Sequence, residues 1–153
     1  MKQQMKFVPK SLTLLACLCL GCRPSEESAE VKKLEGTWVQ VHALAKEKSK
    51  GRGGYYAWVF KGETVVREHT QTLDGEPVTG SSNSGTYKLE VATRPRTIDI
   101  VLKSPQGEDW KYYGIFELEG DTLRLCLDKN KRPTAFENNE GSTMYILQRP
   151  PKE

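Results

Sequence analysis

Beyond residue 22 the chain holds a single cysteine, Cys126, while Cys17, Cys19 and Cys22 crowd into its first segment. No intramolecular disulfide can therefore staple the folded part, and its stability must come from an apolar core. Histidine is as scarce: His42 and His69 are far apart, and no C-x-x-C, H-x-x-x-H or Asp-rich calcium loop occurs. Neither a metal nor a cofactor is expected. No apolar run approaches the ~20 residues of a membrane-spanning helix. Ser81-Ser82-Asn83-Ser84, between Gly80 and Gly85, misses the G-x-S-x-G spacing of a nucleophile elbow. Lys46, Lys48, Lys50 and Arg52 surround Gly51 and Gly53-Gly54 but lead into a strand, not the helix a phosphate loop needs. The carboxylates Asp99, Asp109, Glu117, Glu119 and Asp121 carry no spacing that marks a glycosidase pair. With no catalytic signature, the chain is not expected to be an enzyme.

An excess of one charge is also missing. The formal net charge of +3 equals the contribution of Lys2, Lys6 and Lys10, and no acid accompanies them in the first 21 residues. The remainder balances 20 basic against 20 acidic residues, so no field argues for nucleic acid.

What the sequence does contain begins with those lysines and the apolar run from Leu12 to Leu20, the layout of an export signal. The run ends in Leu18-Cys19-Leu20-Gly21-Cys22, and a small residue before cysteine suits lipoprotein signal cleavage. Cys22 is the expected lipid attachment site, with Cys17 as the alternative. The expected organisation is a signal peptide over 1–21, a polar tether over 22–33, a domain over 34–149 and a tail over 150–153. Arg23 after the modified cysteine leans toward the periplasmic side of an outer membrane over the inner membrane.

From Leu34 onward, short β-branched and aromatic runs alternate with period two, punctuated by Gly, Pro, Asn and Asp. Strands are predicted at about 36–43, 55–61, 64–71, 85–91, 97–103, 112–119, 122–128 and 143–149, with Ser81 to Gly85 as a loop. No helix is expected beyond a turn near 29–35. Lys61-Gly62-Glu63, Asp74-Gly75-Glu76-Pro77 and Gly120-Asp121 have turn chemistry. Eight sequential strands in hairpin succession predict an all-β, antiparallel up-and-down barrel, since closure removes exposed edges. A β-sandwich is the alternative.

Several segments then stand out in order: Leu34-Glu35-Gly36-Thr37-Trp38, Gly85-Thr86-Tyr87, Pro95 to Asp99, Gly114-Ile115-Phe116-Glu117-Leu118, Gly120 to Cys126, Arg132-Pro133-Thr134 and Leu147-Gln148-Arg149. Together they resemble an uncharacterised lipocalin-like domain family expanded in planctomycete bacteria. The resemblance implies a small lipocalin-like barrel and carries no catalytic residue with it. It also implies structural roles for Gly36, Trp38 and Arg149, the Trp closing one end of the barrel and the late Arg packing across its ring.

An eight-stranded interior is either filled by its side chains or wide enough for one small ligand, and both readings stay open here. Trp58, Phe60, Tyr87, Tyr113 and Phe116 are the candidate cavity lining, from an aromatic set that includes Tyr55, Tyr56, Trp110, Tyr112 and Tyr145. Arg132, before Pro133, either fixes a loop by pairing with Asp128 or Asp99, or holds an anion. Cys126 lies on the face opposite Leu123, Leu125 and Leu127 and is expected to be a small buried hydrophobe, with thiolate chemistry beside Arg124 as the alternative. The expected role is a lipid-anchored, non-catalytic barrel that binds a small apolar or amphipathic ligand, or a cell-envelope protein partner.

Overall fold

The computed structural model describes residues 26–41, 53–73 and 76–151. The export signal, Cys17, Cys22, His42, the Lys46–Arg52 stretch and the Asp74-Gly75 turn lie outside the described residues. Among the described residues, α1 (Glu26–Leu34) precedes eight strands: β1 (Gly36–Gln40), β2 (Gly53–Lys61), β3 (Thr64–Leu73), β4 (Glu76–Glu90), β5 (Arg96–Lys103), β6 (Asp109–Glu119), β7 (Thr122–Asp128) and β8 (Ser142–Gln148). Every strand pairs antiparallel with the next, and β8 returns to β1, which closes the barrel.

Period two decides which side chains enter. On β5, Ile98, Ile100 and Leu102 are almost fully buried, and Leu123 and Leu125 on β7 and Leu147 on β8 join them inside. Trp38, Trp58, Phe60 and Phe116 supply the largest buried volumes. Each large apolar side chain removed from water stabilises by roughly 1.5–3 kcal/mol, so this ladder replaces the absent disulfides.

Two expectations need correction. Ser81 to Gly85 is not a loop but the middle of β4, paired with β3 through His69↔Ser81, Arg67↔Asn83 and Val65↔Gly85. Serine, asparagine and glycine weaken local strand preference, but pairing with β3, joined by β5 from Gly85 onward, overrides it. Gly85 is required there: a Cβ would stand 1.8 Å from the Val101 carbonyl oxygen. Residues 26–33, read as part of a tether, form most of α1. Glu26 and Glu27 in its first turn and Lys32 and Lys33 in its last complement the helix dipole, and buried Glu30 and Leu34 seat it on the barrel.

α1 covers the end of the barrel where the β2–β3, β4–β5 and β6–β7 turns lie. The connection from β7 to β8 starts at the other end and folds back over the outer face of β6 and β7. Arg132 pins it, with Nη1 donating to Gly114 O (2.8 Å) and Nη2 to Asp99 Oδ1 (2.6 Å).

Candidate functional site

The two ends of the barrel are built differently. At the covered end, Gly36 takes φ +113°, a conformation that L side chains rarely adopt. A Cβ there would meet Arg149 Nη1 at 2.6 Å. Arg149 donates from Nη1 to Glu35 O (2.9 Å) and from Nη2 to Lys33 O (2.7 Å), capping the carbonyl end of α1. Its guanidinium lies 4.2 Å from the Trp38 ring centroid, and Trp38 Nε1 donates to Leu34 O (2.7 Å). Tyr87 belongs to the same end: its hydroxyl donates to Gly62 O (2.6 Å). Burial pushes that phenol up to about 12, with Glu35 and Glu63 adding to the shift.

The opposite end gathers aromatic rings around a cation. The hairpin register pairs Trp58 with Arg67 and Tyr56 with His69, so all four side chains share the inner face. Arg67 Cζ stands 5.5 Å from the Tyr56 ring centroid, 5.9 Å from Trp58, 5.8 Å from Trp110 and 5.6 Å from Tyr112. Nη1 donates to the Tyr112 hydroxyl (3.1 Å) and Nη2 to Asn83 Oδ1 (3.4 Å), while Asn83 Nδ2 donates to Lys103 O (3.0 Å). Tyr145 closes the group, edge-on to both Tyr56 and Trp58. Burial pushes its phenol up to about 12, against the opposing pull of Arg67.

The β1–β2 ladder ends on this side of the barrel. The pairing of β1 with β2 stops at Val39↔Ala57, and beyond it Gln40 Oε1 accepts from the Tyr56 backbone N–H (2.6 Å) in place of a ladder bond. A recess of about 220 Å³ opens beside Tyr112 and Tyr145, with Lys129, Glu140 and Thr143 on its walls. Lys129 Nζ stands 5.7 Å from the Trp110 ring and 5.8 Å from the Tyr112 ring. A larger recess, about 650 Å³, lies at the covered end between Thr37, Asp121, Arg149, Pro150 and Pro151. Its cation, Arg149, is already bonded to the Lys33 and Glu35 carbonyls.

Of the candidate lining residues, Trp58, Phe60, Tyr87 and Phe116 face inward in the core. Phe60 and Tyr87 pack edge to face beneath the ring group, toward the covered end. Tyr113 is a correction: it stands between the inward Tyr112 and Gly114, so period two turns it outward, under Arg132 at 6.0 Å. Arg132 itself is bonded within the fold, to Asp99 and not to Asp128. Cys126 is fully buried on the outer face beneath the β7–β8 connection, with Sγ 3.5 Å from Glu137 O. Among the described residues no three His, Cys, Asp or Glu side chains gather as a metal site.

Arg67 escaped notice as a sequence feature. Its signal lay in the tight turn at Gly62-Glu63: counting outward pairs Phe60 with Val65 and Trp58 with Arg67, which puts a cation on an aromatic inner face.

A closed, eight-stranded, up-and-down barrel with one end covered and an aromatic group at the other defines a calyx-type binding fold. Residues 34–125 match the lipocalin-like domain family, and the chain belongs to it. No match is found among curated proteins or among solved structures. Lipocalin-like barrels commonly bind small hydrophobic ligands.

Proposed function

We propose that this protein is a lipid-anchored binding barrel that receives a small apolar or amphipathic molecule at the end opposite α1. The observation that carries the reading is the ring group itself. Tyr56, Trp58, Trp110, Tyr112 and Tyr145 converge where the β1–β2 ladder ends, while the covered end is filled by packed side chains and helix α1. Aromatic rings offer an apolar body with a polar tip, which suits a ligand that is itself part apolar.

The anchor in this reading is Cys22, after an export signal carrying Lys2, Lys6 and Lys10. It would hold the barrel at the periplasmic side of an outer membrane, with apolar envelope molecules within reach. The nearer likeness, to lipocalin-like domains expanded in planctomycete bacteria, belongs to the same proposal.

Titration with the neutral probe N-phenyl-1-naphthylamine tests the site. Energy transfer from tryptophan to the bound probe is expected to saturate, and Trp110→Phe is expected to reduce it. A signal that rises linearly with probe and ignores the substitution would refute the binding role. For the anchor, radiolabelled palmitate should enter the wild-type chain and not Cys22→Ala; label persisting in that variant would overturn the attachment site.

A further inference from the structure

Arg67 occupies an inward position of β3, where neighbouring positions carry apolar or aromatic side chains. Arg67 is only partly buried, and a guanidinium set among rings in this way is best matched by a planar carboxylate. The ion pairs of the described residues join Lys33 and Arg96 to Glu30, Lys103 to Asp109, Arg124 to Glu117, Arg132 to Asp99 and Arg149 to Asp121, and none includes Arg67. Tyr112 and Asn83 each accept one bond from it. A guanidinium carries five N–H donors, so most of them find no acceptor among the described residues.

A second group has the same deficit. Trp58, fully buried, carries its indole N–H without any hydrogen-bond partner. An indole can only donate, so what is missing is an acceptor. The ring that carries this N–H is one of those around Arg67, at 5.9 Å. Lys129 adds a second cation against Trp110 and Tyr112. The carboxylate of neighbouring Asp128 already accepts from the Asn130 and Lys131 amides. Arg67 and the Trp58 indole thus carry more donors than the described residues around them accept, while exposed Lys129 shares the recess outside with Glu140.

The geometry points to an anion subsite: Arg67 and the Trp58 indole N–H receive the carboxylate of an amphipathic ligand, whose chain lies against Tyr112 and Tyr145. This deepens the binding role proposed above and rests on it. A carboxylate matches the planar fork of a guanidinium. An ammonium head at Arg67 would meet a like charge, and a neutral alcohol brings too few lone pairs for both donors. Asn83, bonded to Lys103 O, is a positioning residue that holds the fork.

Isothermal titration of the full chain with octanoate, 1-octanol, octylammonium and acetate tests the subsite. Octanoate is expected to bind at least tenfold more tightly than 1-octanol, and octylammonium most weakly of the three. Arg67→Met should erase the preference for octanoate, weakening octanoate at least tenfold more than 1-octanol. Trp58→Phe, which keeps a ring and loses the donor, should weaken octanoate severalfold more than it weakens 1-octanol. Equal binding of octanoate and 1-octanol by the wild type, or a preference that survives Arg67→Met in folded protein, overturns the subsite while leaving the binding role intact. Acetate that displaces octanoate at comparable concentration replaces the amphiphile with a bare carboxylate and overturns the amphipathic ligand. Saturable binding of none of the eight-carbon probes removes the binding role itself. Should Arg67→Met fail to fold, the wild-type comparison and Trp58→Phe decide the matter.

Discussion

Arg149 lies across Trp38, its guanidinium carbon 4.2 Å from the ring centroid, and the absent side chain of Gly36 makes room for it. The same guanidinium caps two carbonyls at the end of α1, so one side chain ties helix, first strand and last strand together. Arg149→Met should destabilise the fold by about 1–3 kcal/mol through lost cation–π attraction and two carbonyl caps. Gly36→Ala should cost a comparable ~1–3 kcal/mol from strain at positive φ and by displacing Arg149. Because both changes disrupt one contact, their effects in urea denaturation should fall short of additivity by about 0.5–3 kcal/mol. Fully additive midpoints would separate the two residues.

The barrel was legible in the sequence because its signals are local. Ile98, Ile100 and Leu102 alternate with Asp99, Val101 and Lys103, and the turns at Gly62-Glu63 and Gly120-Asp121 punctuate such runs. What escaped depends on distance along the chain. Asn83 sits in a Ser/Gly run that reads as loop until β3 pairs along it and β5 joins from Gly85 onward. Tyr113 and Tyr112 are both aromatic, and only the phase of β6 separates the inner ring from the outer one. Arg67 needs Trp110 and Tyr112, more than forty positions away, before its surroundings show as aromatic. Helix α1 is polar enough to pass for a spacer because, before Leu34, its buried position is Glu30, and a buried acid gives no apolar signal.

Two phenols should ionise late. Tyr87 and Tyr145 are both pushed up to about 12, chiefly by burial. Absorbance at 295 nm during alkaline titration should show two late equivalents, one lost in Tyr87→Phe and the other in Tyr145→Phe. The sign for stability follows from linkage: a folded-state pKa above the unfolded value of about 10 favours the folded state while the phenol is neutral. That contribution is present in full below pH ~10 and is lost as pH rises to ~12. A titration in which every phenol ionises near the free value would place both hydroxyls in water.

Cys126 should be a reporter for the β7–β8 connection. The thiol is fully buried under that segment, which is held at its start by Asp128 Oδ1 accepting from the Asn130 N–H (2.7 Å) and the Lys131 N–H (3.2 Å). The Asn130 amide is the main cause holding the Asp128 carboxyl below the usual carboxylate range. A carboxyl with a depressed pKa stabilises the fold above its unfolded value near 3.9, and the gain is lost as pH falls through the folded pKa. In a Cys17→Ala/Cys19→Ala/Cys22→Ser background, Ellman's reagent should react with Cys126 very slowly at neutral pH. Asp128→Ala or Arg132→Met should speed the reaction tenfold or more without unfolding the barrel. Rapid labelling of the parent protein would mean that the segment does not cover the thiol.

Helix α1 should contribute to the stability of the domain. Leu34 is fully buried, and Trp38 Nε1 donates to its carbonyl. Glu30 receives Arg96 Nη1 at 3.0 Å and Lys33 Nζ at 2.8 Å with only 8% of its side chain exposed. Leu34→Ala leaves a cavity in a closed interior and should cost about 2–5 kcal/mol. Glu30→Ala removes two charge-assisted bonds, but Arg96 stays 29% exposed and Lys33 63% exposed, so water recovers part of the loss and about 1–2 kcal/mol is expected. Urea midpoints should therefore order as wild type, Glu30→Ala, Leu34→Ala. If residues 26–33 served only as a spacer, Glu30→Ala would leave the midpoint where it was, and hydrogen exchange over Glu26–Leu34 would proceed at the rate of an unfolded segment.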